Sequence, residues 1–149
     1  GITRPVGEPE WMKQIWFPGC HSDIGGSYPE DESRLSDVAL KWMLDEVMSL
    51  PHPIKVDNSK LNLYPDPLGL MHDELILLEE KIQSFLPRWW PKNWIPKWDI
   101  RHRIEASEAT HHPSVGERIR ASVVSCCGRF SNYAPEALRL ETRYPELRK

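Results

Sequence analysis

The sequence predicts an α/β fold that is rich in loops and incomplete on its own. First, a strand end, a polar loop, a glycine pair and an amphipathic helix follow one another between residues 11 and 47. Second, 14 of the 149 residues are proline, about twice the usual frequency. Third, only one stretch reads as a convincing strand, whereas a doubly wound domain needs several strand–helix repeats. We therefore expect part of one domain, in which residues 1–50 hold a strand, a histidine loop and a helix, and residues 51–149 form an irregular, proline- and tryptophan-rich helical extension.

The predicted strand covers residues 11–17 and ends in the apolar run Ile-Trp-Phe before a Pro-Gly break. A cysteine, a histidine, a serine and an aspartate follow at residues 20–23. Catalytic groups of open α/β sheets lie at the carboxyl ends of strands, and a histidine there can act as a general base. His21 is thus the candidate catalytic residue, and a structural histidine at a strand end is the alternative. Because sequence neighbours rarely point at each other, neither Cys20 nor Ser22 is expected to be its nucleophile.

Three residues after His21 are predicted to shape the loop. A carboxylate at Asp23 can accept backbone N–H bonds and hold the turn. Gly25 and Gly26 can supply positive φ angles or a close approach of the backbone.

The rest of the chain alternates between helical patterns and breaks. Apolar residues at three- and four-residue spacing from Leu35 to Val47 predict an amphipathic helix that packs on a sheet. Asp31, Ser33 and Ser36 are equally acceptable caps for it. Weaker patterns predict a helix over residues 68–85, a short strand within residues 99–108 and a helix over residues 113–124.

A second unusual stretch interleaves tryptophans with prolines and basic residues. The tryptophans are Trp89, Trp90, Trp94 and Trp98, and the prolines exclude a regular helix. One interpretation is that the rings clamp an irregular segment onto the domain. The other is a lipid-facing flap, because tryptophan beside lysine and arginine suits a membrane interface.

Composition excludes several classes of protein. A net charge of −3 without a basic motif gives no reason to expect nucleic-acid binding. Three cysteines, two of them adjacent, make a poor disulfide framework. The cysteines and histidines lack zinc-ligand spacing, so neither a metal nor a cofactor is expected. No signal-peptide pattern or membrane-span run occurs, so we expect a cytoplasmic protein, or one exported without a classical signal peptide.

Residues 16–26 (Trp-Phe-Pro-Gly-Cys-His-Ser-Asp-Ile-Gly-Gly) and 35–43 (Leu-Ser-Asp-Val-Ala-Leu-Lys-Trp-Met) resemble a block of one α/β-hydrolase family. It is the family that includes type VI secretion phospholipase effectors. Residues 112–118 and 133–138 resemble its closing segment less closely, with Ala134 where a basic residue is expected.

The resemblance implies a parallel sheet with helices on both faces and a serine esterase or phospholipase activity. His21 matches the place of the catalytic histidine, which takes the proton of the serine and returns it to the leaving group. The serine belongs in a G-x-S-x-G elbow, and this sequence contains none. The resemblance therefore implies that the nucleophile and the acid lie upstream, so that residues 1–149 are the carboxyl-terminal part of one α/β-hydrolase-like domain and residues 1–50 hold its last strand. It also implies that the partners are an ester or phospholipid substrate and a membrane surface.

Two other functions remain open from the sequence. A chain that lacks the nucleophile can be a non-catalytic truncated product, or a module that binds partners or membranes through its tryptophans. The other hypothesis is a self-contained hydrolase that uses Cys20 or Cys127 as its nucleophile.

Overall fold

The computed structural model describes residues 12–87, 89–91, 109–121, 123–126, 129–139 and 142–148. Four helices occur in this part of the chain: α1 (His21–Gly25), α2 (Arg34–Met48), α3 (Glu74–Phe85) and α4 (Pro113–Arg120). Two short strands, β1 (Val124–Cys126) and β2 (Arg129–Ser131), pair antiparallel with Val124 opposite Ser131. Single 3₁₀ turns lie at Glu30–Glu32, Asn58–Lys60, Glu136–Leu138 and Pro145–Arg148. The described residues thus form a mixed helical and strand structure in which β1 and β2 make the one sheet.

The strand predicted over residues 11–17 is wrong for the described residues 12–17, which are extended but make only one β-bridge. Trp16 pairs in parallel with His111. The Trp16 N–H donates to the Thr110 carbonyl (2.9 Å), and the Trp16 carbonyl accepts the His112 N–H (2.8 Å). In this register the next two bonds would need the N–H of residue 18, which is a proline, and the N–H of Ser114, which instead bonds to His112 Nδ1 at the start of α4. A second isolated parallel bridge joins Met71 to Cys126. Parallel pairing is therefore present among the described residues, but a parallel sheet is not.

The helix predicted from Leu35 to Val47 is present as α2, one residue longer at each end. Ser33 occupies the N-cap position, although its side chain makes no capping bond there. The apolar stripe is buried only in its first half. Leu35, Val38 and Ala39 are buried, whereas Met43 is 51% exposed.

Two other predicted helices are shorter than expected. The helix predicted over residues 68–85 begins only at Glu74, because Asp66–Gly69 forms a turn and Met71 forms a bridge. The helix predicted over residues 113–124 ends at Arg120, and Ala121 is extended. The β-branched Val123 and Val124 that follow favour a strand, and β1 begins at Val124. The strand predicted within residues 99–108 lies outside the described residues.

A small apolar core lies between α4 and the chain end. Val115, Ile119 and Leu138 are buried together, and Tyr133, Tyr144 and Leu147 pack against them. Within the described ranges, no helix is both long and apolar enough to cross a membrane.

Arg118 ties α4 to the segment that leads into the site. Its side chain is fully buried, and its Nη1 donates to the Pro67 and Gly69 carbonyls, each at 2.8 Å. The central carbon of its guanidinium lies 5.4 Å from the centre of the Tyr133 ring. Because these bonds fix residues 67–69, they also limit where the chain can go at residues 71–74.

Candidate functional site

The loop predicted to carry His21 is a single helical turn, α1, that begins at His21 itself. Cys20 is its N-cap, and the Asp23 carboxylate accepts the Cys20 N–H at 3.0 Å. This bond satisfies one of the backbone donors that a helix start leaves unpaired. The His21 side chain stands out from this turn and is 75% exposed.

The two glycines predicted to shape the loop play different parts. Gly26 ends α1 with a φ of +78°, and its N–H bonds to the Ser22 carbonyl. Gly25 is the last residue of α1, and a Cβ there would touch nothing within 4 Å. Gly19, which was expected only to break the strand together with Pro18, has a φ of +117°, and a Cβ there would lie 2.7 Å from the Asp23 Cβ. The close approach to Asp23 therefore depends on Gly19.

Asp23 is also the centre of a buried polar cluster. It is 2% exposed and accepts bonds from both the main chain and the ring of His72. The Nδ1 atom of His72 lies 2.7 Å from Asp23 Oδ1, and its Nε2 atom lies 3.2 Å from Glu32 Oε2. The ring stacks on Tyr28, with centroids 3.5 Å apart. Asp23 thus links the histidine turn to a segment 49 residues away in sequence.

Sequence reasoning missed His72. The signal available was weak, because a histidine beside Met71 and Asp73 shows no spacing that marks a ligand or a base. Its partners become visible only once the chain has folded residues 20–32 against residues 71–74.

Glu74, the first residue of α3, reaches the exposed side of α1. Its Oε2 atom lies 3.2 Å from His21 Nδ1, and its Oε1 atom accepts the Ser22 hydroxyl at 2.9 Å. Since Ser22 donates to Glu74, its hydroxyl proton is directed away from the imidazole. This geometry agrees with the expectation that His21 and Ser22 form no nucleophile–base pair.

Burial raises the pKa of the Cys20 thiol, and the Asp23 charge adds to this effect. The thiol also lies 3.8 Å from the Tyr28 hydroxyl. A thiolate is therefore disfavoured at Cys20, which argues against a cysteine nucleophile there. Cys127 lies outside the described residues.

The described residues contain no group of three or more histidine, cysteine, aspartate or glutamate side chains arranged to hold a metal ion. In the buried cluster the reason is geometric. Asp23 and Glu32 bond to different ring nitrogens of His72, so the three groups do not converge on one point.

An apolar groove of about 600 Å³ runs beside α1. Its lining includes Ile24 and the two glycines of the turn, together with residues of α2, of which Ser36 is polar and the others are apolar. Phe17 also lines the groove and packs edge-on against Trp42, with centroids 5.7 Å apart. In a helix, residues three and four apart share a face, so His21 stands one turn from the Ile24 and Gly25 lining.

The tryptophan-rich stretch is described only in part. Trp89 is 78% exposed, and its ring centroid lies 5.9 Å from that of Trp90. Phe85, at the end of α3, is 83% exposed. Trp94 and Trp98 lie outside the described residues.

Comparison with known proteins finds a short region of similarity. A Saccharomyces cerevisiae protein described as "Uncharacterized protein YEL023C" is 39% identical over 49 residues, which cover 31% of this chain and 7% of the yeast protein. The chain thus spans a small fraction of the length of the curated relative that it matches. No solved structure matches the chain.

The family comparison covers the amino-terminal third. Residues 3–46 match the model described as "T6SS, Phospholipase effector Tle1-like, catalytic domain". Residues 112–118 and 133–138, whose resemblance was weaker, fall outside the match. The resemblance inferred from the sequence is confirmed for residues 3–46, and this segment, which contains His21, Asp23 and the glycine pair, matches the catalytic domain of a type VI secretion phospholipase effector family.

Proposed function

We propose that this chain supplies the general-base histidine, His21, of a serine-type ester hydrolase that acts on a lipid ester such as a phospholipid. The observation that carries the proposal is the position of His21. It lies inside the segment matching a phospholipase catalytic domain, on a turn whose N-cap N–H is bound by Asp23, and its side chain is 75% exposed. A histidine kept only for packing would be buried among its partners, as His72 is.

The proposed reaction uses the ring nitrogen that points away from Glu74. Glu74 lies next to Nδ1, so Nε2 takes the proton of the serine hydroxyl as its oxygen attacks the ester carbonyl. His21 then gives this proton to the leaving alcohol. Water releases the acyl group by the same two transfers in the second half of the reaction. Because residues 1–149 contain no G-x-S-x-G elbow, the proposal places the serine in a part of the hydrolase outside this sequence.

The groove beside α1 supports a lipid as the substrate class. Its lining is mainly apolar, with Ile15, Phe17 and Leu40 among its walls. An acyl chain in such a groove would bury apolar surface on both sides. The α1 turn would then hold the ester near His21.

A serine-directed fluorophosphonate probe tests the proposal on the protein made from its natural reading frame. We expect labelling of one serine outside residues 1–149, and strong loss of labelling in His21→Ala, because the hydroxyl is then not activated. His52→Ala, a change at an exposed histidine, should label normally. Absence of labelling in the parent protein, or equal labelling of His21→Ala, would favour a non-catalytic module.

We also propose contact with a membrane surface through the end of α3 and the residues after it. Phe85 and Trp89 are 83% and 78% exposed, and exposed apolar groups are candidates for contact with a membrane. Transfer of such rings from water into the boundary between headgroups and acyl chains lowers their free energy. This contact would bring the hydrolase to its substrate.

A further inference from the structure

The Glu74 carboxylate bridges two consecutive residues of α1. One oxygen lies 3.2 Å from the Nδ1 atom of His21, and the other accepts the Ser22 hydroxyl at 2.9 Å. Using both oxygens on neighbouring residues fixes the carboxylate in position and orientation. His21 and Glu74 are far apart in the sequence, so their contact depends on the tertiary fold.

A buried connection holds Glu74 beside His21. Asp23 accepts the Cys20 N–H at the start of α1, and it also binds the N–H and the ring of His72, two residues before Glu74. Asp23 and His72 are only 2% and 7% exposed. The same carboxylate therefore anchors the two segments that carry His21 and Glu74.

We propose that Glu74 is a positioning residue for His21, an inference that rests on the proposed function. A carboxylate only accepts hydrogen bonds, so the neutral imidazole keeps its proton on Nδ1, facing Glu74. Nε2 then presents a lone pair outward, which is the tautomer that a general base requires. Glu74 would thus set the His21 tautomer from within this chain, and it follows His21 in the sequence, whereas the resemblance implies a triad acid upstream of it.

Nitrogen-15 NMR of the chain tests the inference without any substrate. In the parent at a pH where His21 is neutral, we expect its imidazole shifts to show the proton on Nδ1. In Glu74→Gln the preference for Nδ1 should be lost, because an amide can donate as well as accept. The control Asp45→Asn removes an equal charge from α2, where Asp45 pairs with Lys41, and it should leave the His21 tautomer unchanged.

A proton on Nε2 in the parent, or the same tautomer in Glu74→Gln as in the parent, would overturn the inference. Hydrolysis assays give the second readout. Glu74→Gln should lower kcat by about 10²-fold, the lower end of what general-base catalysis contributes, with little change in KM. An unchanged kcat in a protein that needs His21 would also overturn it.

The two proposals can fail separately. If His21→Ala retains full activity while the tautomer depends on Glu74, the proposed function fails and the His21–Glu74 pairing stands. If His21 is essential and Glu74 affects neither tautomer nor kcat, the proposed function stands and another group orients the base.

Discussion

Asp23 Oδ1 lies 2.7 Å from Nδ1 of His72, and both side chains are buried. This contact joins the turn that carries His21 to the start of α3. A charged group buried in this way needs its partners, because an unpaired carboxylate in the interior is costly. The Asp23–His72 pair therefore stabilises the site and sets its geometry.

Loss of either member of this pair should destabilise the fold. Asp23→Ala and His72→Ala are each expected to lower the free energy of unfolding by about 3 kcal/mol. The loss of unfolding free energy in the double variant should be smaller than the sum of the two single losses, by about 1–3 kcal/mol. Urea denaturation of the four proteins measures these values. Strict additivity would mean that the two residues do not interact.

Gly19→Ala and Gly25→Ala form a matched pair within one loop. Alanine at residue 19 meets a φ of +117° and a Cβ contact of 2.7 Å with Asp23, so we expect a loss of about 1–3 kcal/mol. Alanine at residue 25 meets open space and should be neutral or stabilise by about 0.4–1 kcal/mol. Thermal unfolding compares the two. Similar losses in both variants would contradict the close packing of Gly19 on Asp23.

His112 should make stability depend on pH. Burial lowers the pKa of its imidazole below the ordinary 6.5, although Glu117 opposes the shift. The unfolded chain therefore binds this proton more readily than the folded chain, and the free energy of unfolding should fall as the pH drops through 6.5 towards the lowered pKa.

The variant His112→Asn isolates this effect, because asparagine can still cap α4 by accepting the Ser114 N–H, as His112 does. Its unfolding free energy should fall less than that of the parent between pH 7 and pH 5. Chemical denaturation at each pH gives the difference. Parallel pH profiles would show that His112 does not contribute.

Vesicle binding checks the proposed membrane contact. Replacing both Phe85 and Trp89 with alanine should weaken binding to phosphatidylcholine vesicles by about tenfold or more, equivalent to about 1.4 kcal/mol. Leu50→Ala removes another exposed apolar side chain, 52% exposed after α2, and should bind like the parent. Equal binding by the folded double variant would exclude this surface as the contact.

Local pattern was sufficient to predict α2 and to single out the segment around His21. The spacing of Leu35, Val38 and Ala39 has the helical period, and the backbone hydrogen bonds of a helix join residues only four positions apart. The strand before His21 was overestimated, because a strand depends on partners that local pattern does not reveal. Here Trp16 forms a bridge with one residue, His111, and Pro18 cannot donate the next bond.

The partners of the site could not be predicted for a related reason. Asp23 reads from the sequence as a loop residue, and it does accept a backbone N–H within its own turn. Its stronger tie to His72 and the approach of Glu74 to His21 cross about 50 residues. These contacts depend on where the Arg118 hydrogen bond and the Met71 bridge place the chain. The spacing of residues in the sequence does not predict that placement.

The most direct measurement is ester hydrolysis by the protein made from its natural reading frame, with phospholipid vesicles as substrate. We expect the parent to release fatty acid, and His21→Ala to lose activity by about 10²–10⁴-fold while its unfolding midpoint stays close to that of the parent. His21 is mostly exposed, so its replacement should cost little stability. A parent without activity, or a folded His21→Ala variant with full activity, would contradict the assignment of His21 as the general base.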